Sequence, residues 1–375
     1  MQKRYDLYGY LRPVWLGGKI ENETIMFLGE DDEARLLYTP CGKVSVKNYF
    51  LDKTFSEGKD YSVDGDRIKR LAGGEIPFFT AEEYYTTERG KYGIEINADK
   101  AKEICLEGKR YLLYGEGDSF TKRQIAVSYV AEDRRGGYIP QDKSGKFAVF
   151  FDKIARKEEI AVTFYGDSIA AGCNASGTEF GGNTPPYMDP FPVLFTEFCE
   201  RTLGAKINAV NVSVGGWSTE QGLNAYDERV APTRPDLLVL AFGMNDMSTP
   251  LDKYAEMYEE MIGKTRAINP TAEILAIAPM WPNTDSAWVG NQIRFKEVLG
   301  EFEKKYPFFA MANVTDVHGY VLKRKRYRDM TANNINHPND FLGRIYAQVM
   351  LKTVLGDRYE RVYTEKDNRI GNGQA

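Results

Sequence analysis

The chain has 375 residues, of which 42% are hydrophobic and 27% charged, with a formal net charge of −5. That length suits two packed domains, and that composition excludes a disordered chain. The weak negative charge gives no electrostatic reason to expect nucleic acid or an anionic membrane surface as partner.

The opening run Met1-Gln2-Lys3-Arg4-Tyr5-Asp6 has no apolar core of the kind a secretion signal needs. No stretch reaches membrane-spanning length, so a cytoplasmic location is expected. Cys41, Cys105, Cys173 and Cys199 lie far apart and form no CxxC pair, which points to free thiols rather than a zinc site or a disulfide framework. No cofactor or metal is expected. His318 and His337 are the only histidines. A mechanism that needs a base near neutral pH therefore has few candidates.

Up to residue 155 the chain reads as short strands rich in Val, Ile, Tyr and Phe. They are Thr24–Phe27, Ala34–Tyr38, Tyr61–Val63, Tyr92–Ile96, Arg110–Tyr114, Gln124–Val130 and Phe147–Phe151. Asp64-Gly65 reads as a hairpin turn. A helix is suggested only around Ala98–Cys105. The expectation for residues 1–155 is a β-sandwich or jelly roll.

After Lys157 the period changes. Buried-type strands are predicted at Ile160–Tyr165, Ala209–Val214, Asp236–Phe242, Glu273–Ala278 and Phe308–Val314. Helices are predicted at Val193–Leu203, Thr219–Val230, Leu251–Ile268, Trp288–Lys305 and Asp340–Leu355. Alternation of this kind implies a parallel sheet in a three-layer α/β/α domain over 156–356, with functional groups at the carboxyl ends of strands. Residues 357–375 read as a polar tail that frays.

Four segments at predicted strand ends could carry chemistry. Gly166-Asp167-Ser168 follows the first strand and can project a hydroxyl past the sheet edge; the bland reading is an ordinary turn. Gly215-Gly216-Trp217 follows the second, where a glycine lets a backbone N–H approach a reacting oxygen. Gly243-Met244-Asn245-Asp246 follows the third; Asn245 can donate to developing negative charge or merely cap a helix. Asn333-Asn334-Ile335-Asn336-His337-Pro338 precedes the last helix and supplies His337 as a base for Ser168.

Together these segments resemble the GDSL/SGNH hydrolase superfamily over roughly residues 158–356. The resemblance implies Ser168 as nucleophile and His337 as proton shuttle. It implies an oxyanion hole from the Ser168 and Gly216 N–H groups and the Asn245 side chain. The superfamily usually has an aspartate three residues before the histidine, and here that position is Asn334. His337 is therefore expected to be oriented by Asn334 or, equally, by a backbone carbonyl in a Ser-His dyad, with Asp329 or Asp340 behind both. Ser213 lacks the first glycine of a nucleophile turn, and Asp316 with His318 is too little for a metal site.

A β-domain ahead of such a domain is similar in layout to esterases that remove acetyl groups from carbohydrates. Trp217, Trp281, Trp288 and Tyr187 are the candidate sugar-stacking rim, with simple packing as the competing reading. Asn174–Pro186 is long but not apolar, which favours a small acyl group over a lipase or lysophospholipase substrate. The expected partner is an acetylated carbohydrate or another small-acyl ester. A non-catalytic sugar-binding protein on the same scaffold is the reading from a different class; the oligomeric state is open.

Overall fold

The computed structural model describes residues 2–86, 93–100, 110–131 and 137–371. Five strands make one parallel sheet in the spatial order Lys206–Asn211, Glu159–Gly166, Leu237–Ala241, Glu273–Ala278 and Phe309–Asn313. Alternate side chains enter two separate cores. Val162, Phe164, Val239, Leu275 and Ile277 face one, and Tyr165, Leu238, Leu240, Ile274 and Ala276 face the other. Helices Phe191–Leu203 and Asp340–Leu355 cover the first face, and Leu251–Ile268 and Phe295–Lys305 cover the second. Burial on both faces is why four of these strands read as apolar runs, while the edge strand Lys206–Asn211 is largely exposed. The expected three-layer α/β/α arrangement is present.

The chain lays its second strand on one side of Glu159–Gly166 and its third on the other. The winding therefore reverses at this strand, and a crevice opens beyond its carboxyl end. Ser168 lies two residues past that end.

The N-terminal region is β-rich, as expected. Its main sheet runs Thr54–Phe55, Ser45–Asn48, Gln124–Val130, Lys19–Leu28 and Phe78–Phe79, antiparallel except for the last pair. The hairpin Tyr61–Asp64 to Arg67–Arg70 turns at Gly65, whose φ is 54°. A smaller sheet joins Tyr85–Thr86, Tyr111–Leu113 and Gly93–Glu95. Most of the helix suggested at Ala98–Cys105 lies outside the described residues.

Two expectations fail for physical reasons. Phe147–Phe151 is not a strand; it enters the helix Ala148–Arg156. Phe147, Phe150, Phe151 and Ile154 all pack on the core, and that spacing of three and four is a helix face. The polar tail is helical over Asp357–Gly371. Tyr359 and Tyr363, one turn apart, are buried in the main core, and Trp15 Nε1 donates to Glu360 at 2.7 Å.

One apolar core continues across the expected boundary at residue 155. Ile25, Phe27, Val46 and Ile125 of the N-terminal sheet share it with Phe341, Leu342 and Ile345. Within this contact Glu23 meets Lys325 at 3.0 Å, both side chains fully buried. Glu23 also accepts from Tyr129 Oη at 2.8 Å and from the Leu37 N–H at 3.2 Å. A buried pair of this kind contributes little net stability, but removing one partner strands a charge. Lys325→Met is expected to destabilise the protein by about 3–5 kcal/mol in urea unfolding. Adding Glu23→Gln should recover much of that loss, and a near-neutral single variant would show that the pair does not lock the two regions.

Candidate active site

Ser168 opens a short helical turn, Ser168–Ala171, whose N-cap is Asp167. Asp167 Oδ1 accepts the Ile169 N–H at 2.9 Å. The Ser168 N–H is thus the first donor of a helical turn, a position without an acceptor inside the helix. Gly166 is required by crowding: a Cβ there would lie 2.4 Å from the Ala241 carbonyl oxygen. The turn can hug the neighbouring strand only without a side chain.

His337 reaches Ser168 from the last loop. Its Nε2 lies 2.9 Å from Ser168 Oγ, and both residues are buried, at 7% and 5% exposure. The ring's other nitrogen, Nδ1, lies 2.6 Å from Asn174 Oδ1. Asn174 Nδ2 donates to the Gly117 carbonyl at 3.2 Å, which fixes the amide with its oxygen towards the imidazole. An amide oxygen can only accept, so Nδ1 carries the proton and Nε2 presents its lone pair to the serine. That is the tautomer a general base needs. Glu116 adds a carboxylate oxygen, Oε2, at 3.3 Å from Nδ1.

Asn334 does not meet the imidazole through its side chain, which corrects the expectation that it orients His337. It sits at φ 71°, accepts from Tyr84 Oη at 2.8 Å and donates to the Leu113 carbonyl at 3.0 Å. Its side chain ties the histidine loop to the small N-terminal sheet. Asp329 and Asp340 are also committed elsewhere. Asp329 accepts from the Met26 N–H, and Asp340 from the Ser176 N–H.

The loop's shape comes from Asn333. Its Oδ1 accepts the N–H groups of Ile335, Asn336 and His337 at 3.0, 3.1 and 2.9 Å. Asn283 Nδ2 donates to the Asn334 carbonyl at 2.7 Å, and Gln124 Nε2 to the Thr331 carbonyl at 2.8 Å. Elements from both halves of the chain therefore hold His337 in place.

The glycine and asparagine segments lie at the same sheet edge. Asn211 Nδ2 donates to the Ala170 carbonyl at 2.7 Å, and the Val214 N–H to the Gly166 carbonyl at 3.0 Å. Both bonds hold the Gly216 loop beside the serine turn, with Gly216 at φ 80°. Asn245 Nδ2 donates to the Trp217 carbonyl at 3.0 Å. Asp246 accepts the Thr219 N–H at 3.0 Å, joining the asparagine loop to the start of helix Thr219–Asn224.

The aromatic residues divide. Trp217 and Trp288 flank Asn245: Trp217 supplies the carbonyl just described, and Trp288 Nε1 donates to the Met244 carbonyl at 3.3 Å. Trp281 is anchored against helix Val314–Val321, its Nε1 donating to the Thr315 carbonyl and its backbone N–H to His318 Nδ1. Tyr187 is half-buried at φ 58°. His318 is fully buried, and burial pushes its pKa down to about 3, so it stays neutral as a packing residue. Ser213 Oγ is buried without a hydrogen-bond partner. Among the described residues no group of three or more His, Cys, Asp or Glu side chains is placed to share a metal ion.

Asn174, Glu116 and Asn333 were not singled out from the sequence. Asn174 opens the long loop after the serine turn, but nothing in its neighbours marks its φ of 65° or its aim.

Burial pushes the Asp167 carboxyl up to about 7. The folded protein therefore favours its neutral form. Its ionisation costs stability as pH rises from about 4, where the unfolded carboxyl ionises, and the cost is complete above the folded value. Asp167→Asn keeps the cap oxygen. It should raise the melting temperature over wild type at about pH 8, with the gain vanishing towards pH 4. A gain independent of pH would show that ionisation is not its source.

The sequence from 164 to 341 matches the model of the GDSL-like Lipase/Acylhydrolase family. No curated protein matches the sequence. Among solved structures, a two-domain esterase (CEX) active on acetylated mannans, co-crystallised with mannopentaose, is similar at 19% identity and a TM-score of 0.47, over 60% of this chain and 56% of its own. The chain thus spans little more than half the length of that protein. Axe2, an acetylxylan esterase from Geobacillus stearothermophilus, is similar at 17% identity and a TM-score of 0.44, over 52% of this chain and 94% of its own. LAE5, an α/β hydrolase enzyme from the metagenome of Lake Arreo, Spain, is similar at 15% identity and a TM-score of 0.43, over 52% of this chain and 95% of its own. Likeness at these levels says nothing of activity. The likeness to the GDSL-like Lipase/Acylhydrolase family is confined to residues 164–341, just under half of the chain.

Proposed function

We propose that the protein is a serine esterase acting on small acyl esters, most fittingly acetyl groups carried by carbohydrate. The observation that carries this reading is the relay Ser168 Oγ, His337 Nε2, His337 Nδ1, Asn174 Oδ1, with spacings of 2.9 and 2.6 Å at its two hydrogen bonds.

In this reading Ser168 Oγ attacks the ester carbonyl carbon while His337 Nε2 takes its proton. Negative charge moves to the carbonyl oxygen. The N–H groups of Ser168 and Gly216 and one N–H of Asn245 hold it there. Asn245 gives only one of its two amide hydrogens to the Trp217 carbonyl, so the other remains for the oxyanion. Collapse expels the alcohol, protonated by His337. Water then attacks the acyl-enzyme with His337 again as base, and Ser168 is restored.

Two features support a small acyl group on a polar alcohol. A cleft of about 560 Å³ opens beside Asn245, lined by polar Glu220, Asn224 and Thr249 on one hand and apolar Leu223, Met247 and Met257 on the other. The polar groups of these walls can hydrogen-bond a hydroxylated leaving group. The loop after Asn174 is also folded back on itself, with Thr184 N–H donating to the Ser176 carbonyl and Gly177 N–H to that of Met188. It is not shaped as an amphipathic lid.

Wild type should hydrolyse p-nitrophenyl acetate, and Ser168→Ala and His337→Ala should each lower kcat by about 10⁴-fold or more. Asn245→Ala should lower kcat by about 10²–10³-fold. Asn334→Ala should lose less activity than His337→Ala, because its side chain acts on the loop and not on the ring. Activity that rises steadily from acetyl to decanoyl esters would exclude the small-acyl reading.

A further inference from the structure

The segment Gly115–Gly117 belongs to the N-terminal β-rich region, before the acylhydrolase domain begins at residue 164. It nevertheless reaches the reacting groups. Glu116 Oε2 stands 3.3 Å from His337 Nδ1, while Gly117 accepts from Asn174.

We propose that Glu116, supplied from outside the acylhydrolase domain, is the carboxylate that supports His337, in place of the missing acid at position 334. This rests on the esterase reading. Glu116 would be a positioning residue, acting through the imidazole and not on the substrate.

The placement of its two oxygens carries the argument. Oε1 accepts from Tyr114 Oη and from Asn333 Nδ2, the latter at 3.3 Å. Both bonds fix the carboxylate's direction, and the second ties it to the residue that shapes the histidine loop. Oε2 is buried and has no hydrogen-bond partner. A buried carboxylate oxygen without a partner is costly unless it faces a cation. Among the described residues, the ionisable donor it faces at close range is Nδ1 of His337, which becomes part of a cation when Nε2 takes the serine proton.

Burial alone would raise the Glu116 pKa. The facing imidazole, the Tyr114 hydroxyl and the Asn333 amide outweigh it and hold the carboxyl below the usual range. The group is therefore ionised when the imidazolium forms.

Asn174 and Glu116 thus divide what one aspartate does in a Ser-His-Asp triad. The amide at 2.6 Å fixes the tautomer, and the carboxylate at 3.3 Å opposes the developing positive charge. Loss of a triad aspartate is severe largely because the histidine takes the wrong tautomer. Here Asn174 would hold the tautomer even without Glu116. The expected penalty is correspondingly smaller, about tenfold to a hundredfold in kcat.

The test uses the full chain and p-nitrophenyl acetate. Glu116→Gln should lower kcat by about tenfold to a hundredfold while KM and the melting temperature change little. Glu116→Ala should show a similar loss, and added formate should restore part of it, because Glu116 is 29% exposed at its side chain and leaves an accessible space. Formate should not restore Ser168→Ala. Wild-type kcat in Glu116→Gln would overturn the proposal, as would a loss in Glu116→Ala that formate leaves untouched. If wild type shows no Ser168-dependent hydrolysis, the esterase reading itself falls, which is distinguishable from an active enzyme indifferent to Glu116.

Discussion

The 2.9 Å approach of His337 Nε2 to Ser168 Oγ depends on a loop that has no regular structure of its own. Residues 332–337 form no helix or strand that would hold a ring over a serine. The loop is held by side-chain amides instead. Asn333 gathers three backbone N–H groups, Asn283 takes the loop from the sheet side, and Tyr84 and Gln124 take it from the N-terminal side. Each bond is modest in net worth. Their number and burial make the position unique, because each broken bond would leave a buried polar group without a partner.

This constraint explains why the N-terminal region is joined to the α/β sheet through one core rather than a flexible linker. A wall that shapes the His337 loop must not drift if the spacing to Ser168 is to hold. The fully buried Glu23–Lys325 pair and the Tyr359 and Tyr363 rings that dock the C-terminal helix serve the same rigidity. Preorganisation at the candidate site is thus drawn from residues far along the chain, as catalysis by fixed dipoles would require.

Much of this was legible in the sequence, because buried parallel strands and amphipathic helices leave strong periodic signals. Glu273–Ala278, Leu251–Ile268 and Asp340–Leu355 were placed at their observed limits. The serine turn and His337 could be picked out because strand-end chemistry is local. Phe147–Phe151 misled because aromatic content suggested a strand while a spacing of three and four made a helix face. The tail misled because its polar residues hid two tyrosines one turn apart. Asn334 was expected to orient His337 because it stands where the resembled superfamily usually has an aspartate, yet position along a loop does not fix direction. Its positive φ turns the side chain away. Asn174 and Glu116 could not be found this way: their relation to His337 is created by the fold, and a lone Asn or Glu carries no periodic signal.

The proposal on which the others rest is Ser168 as the nucleophile of an ester hydrolase. Its most direct test is to mix the protein with p-nitrophenyl acetate, quench in acid within the first turnover, and locate the acetyl group by peptide mass spectrometry. The account predicts one acetyl group on the Ser168 peptide, absent in Ser168→Ala. Turnover that continues with no acetyl on Ser168, or with acetyl on another residue that Ser168→Ala leaves in place, would contradict it.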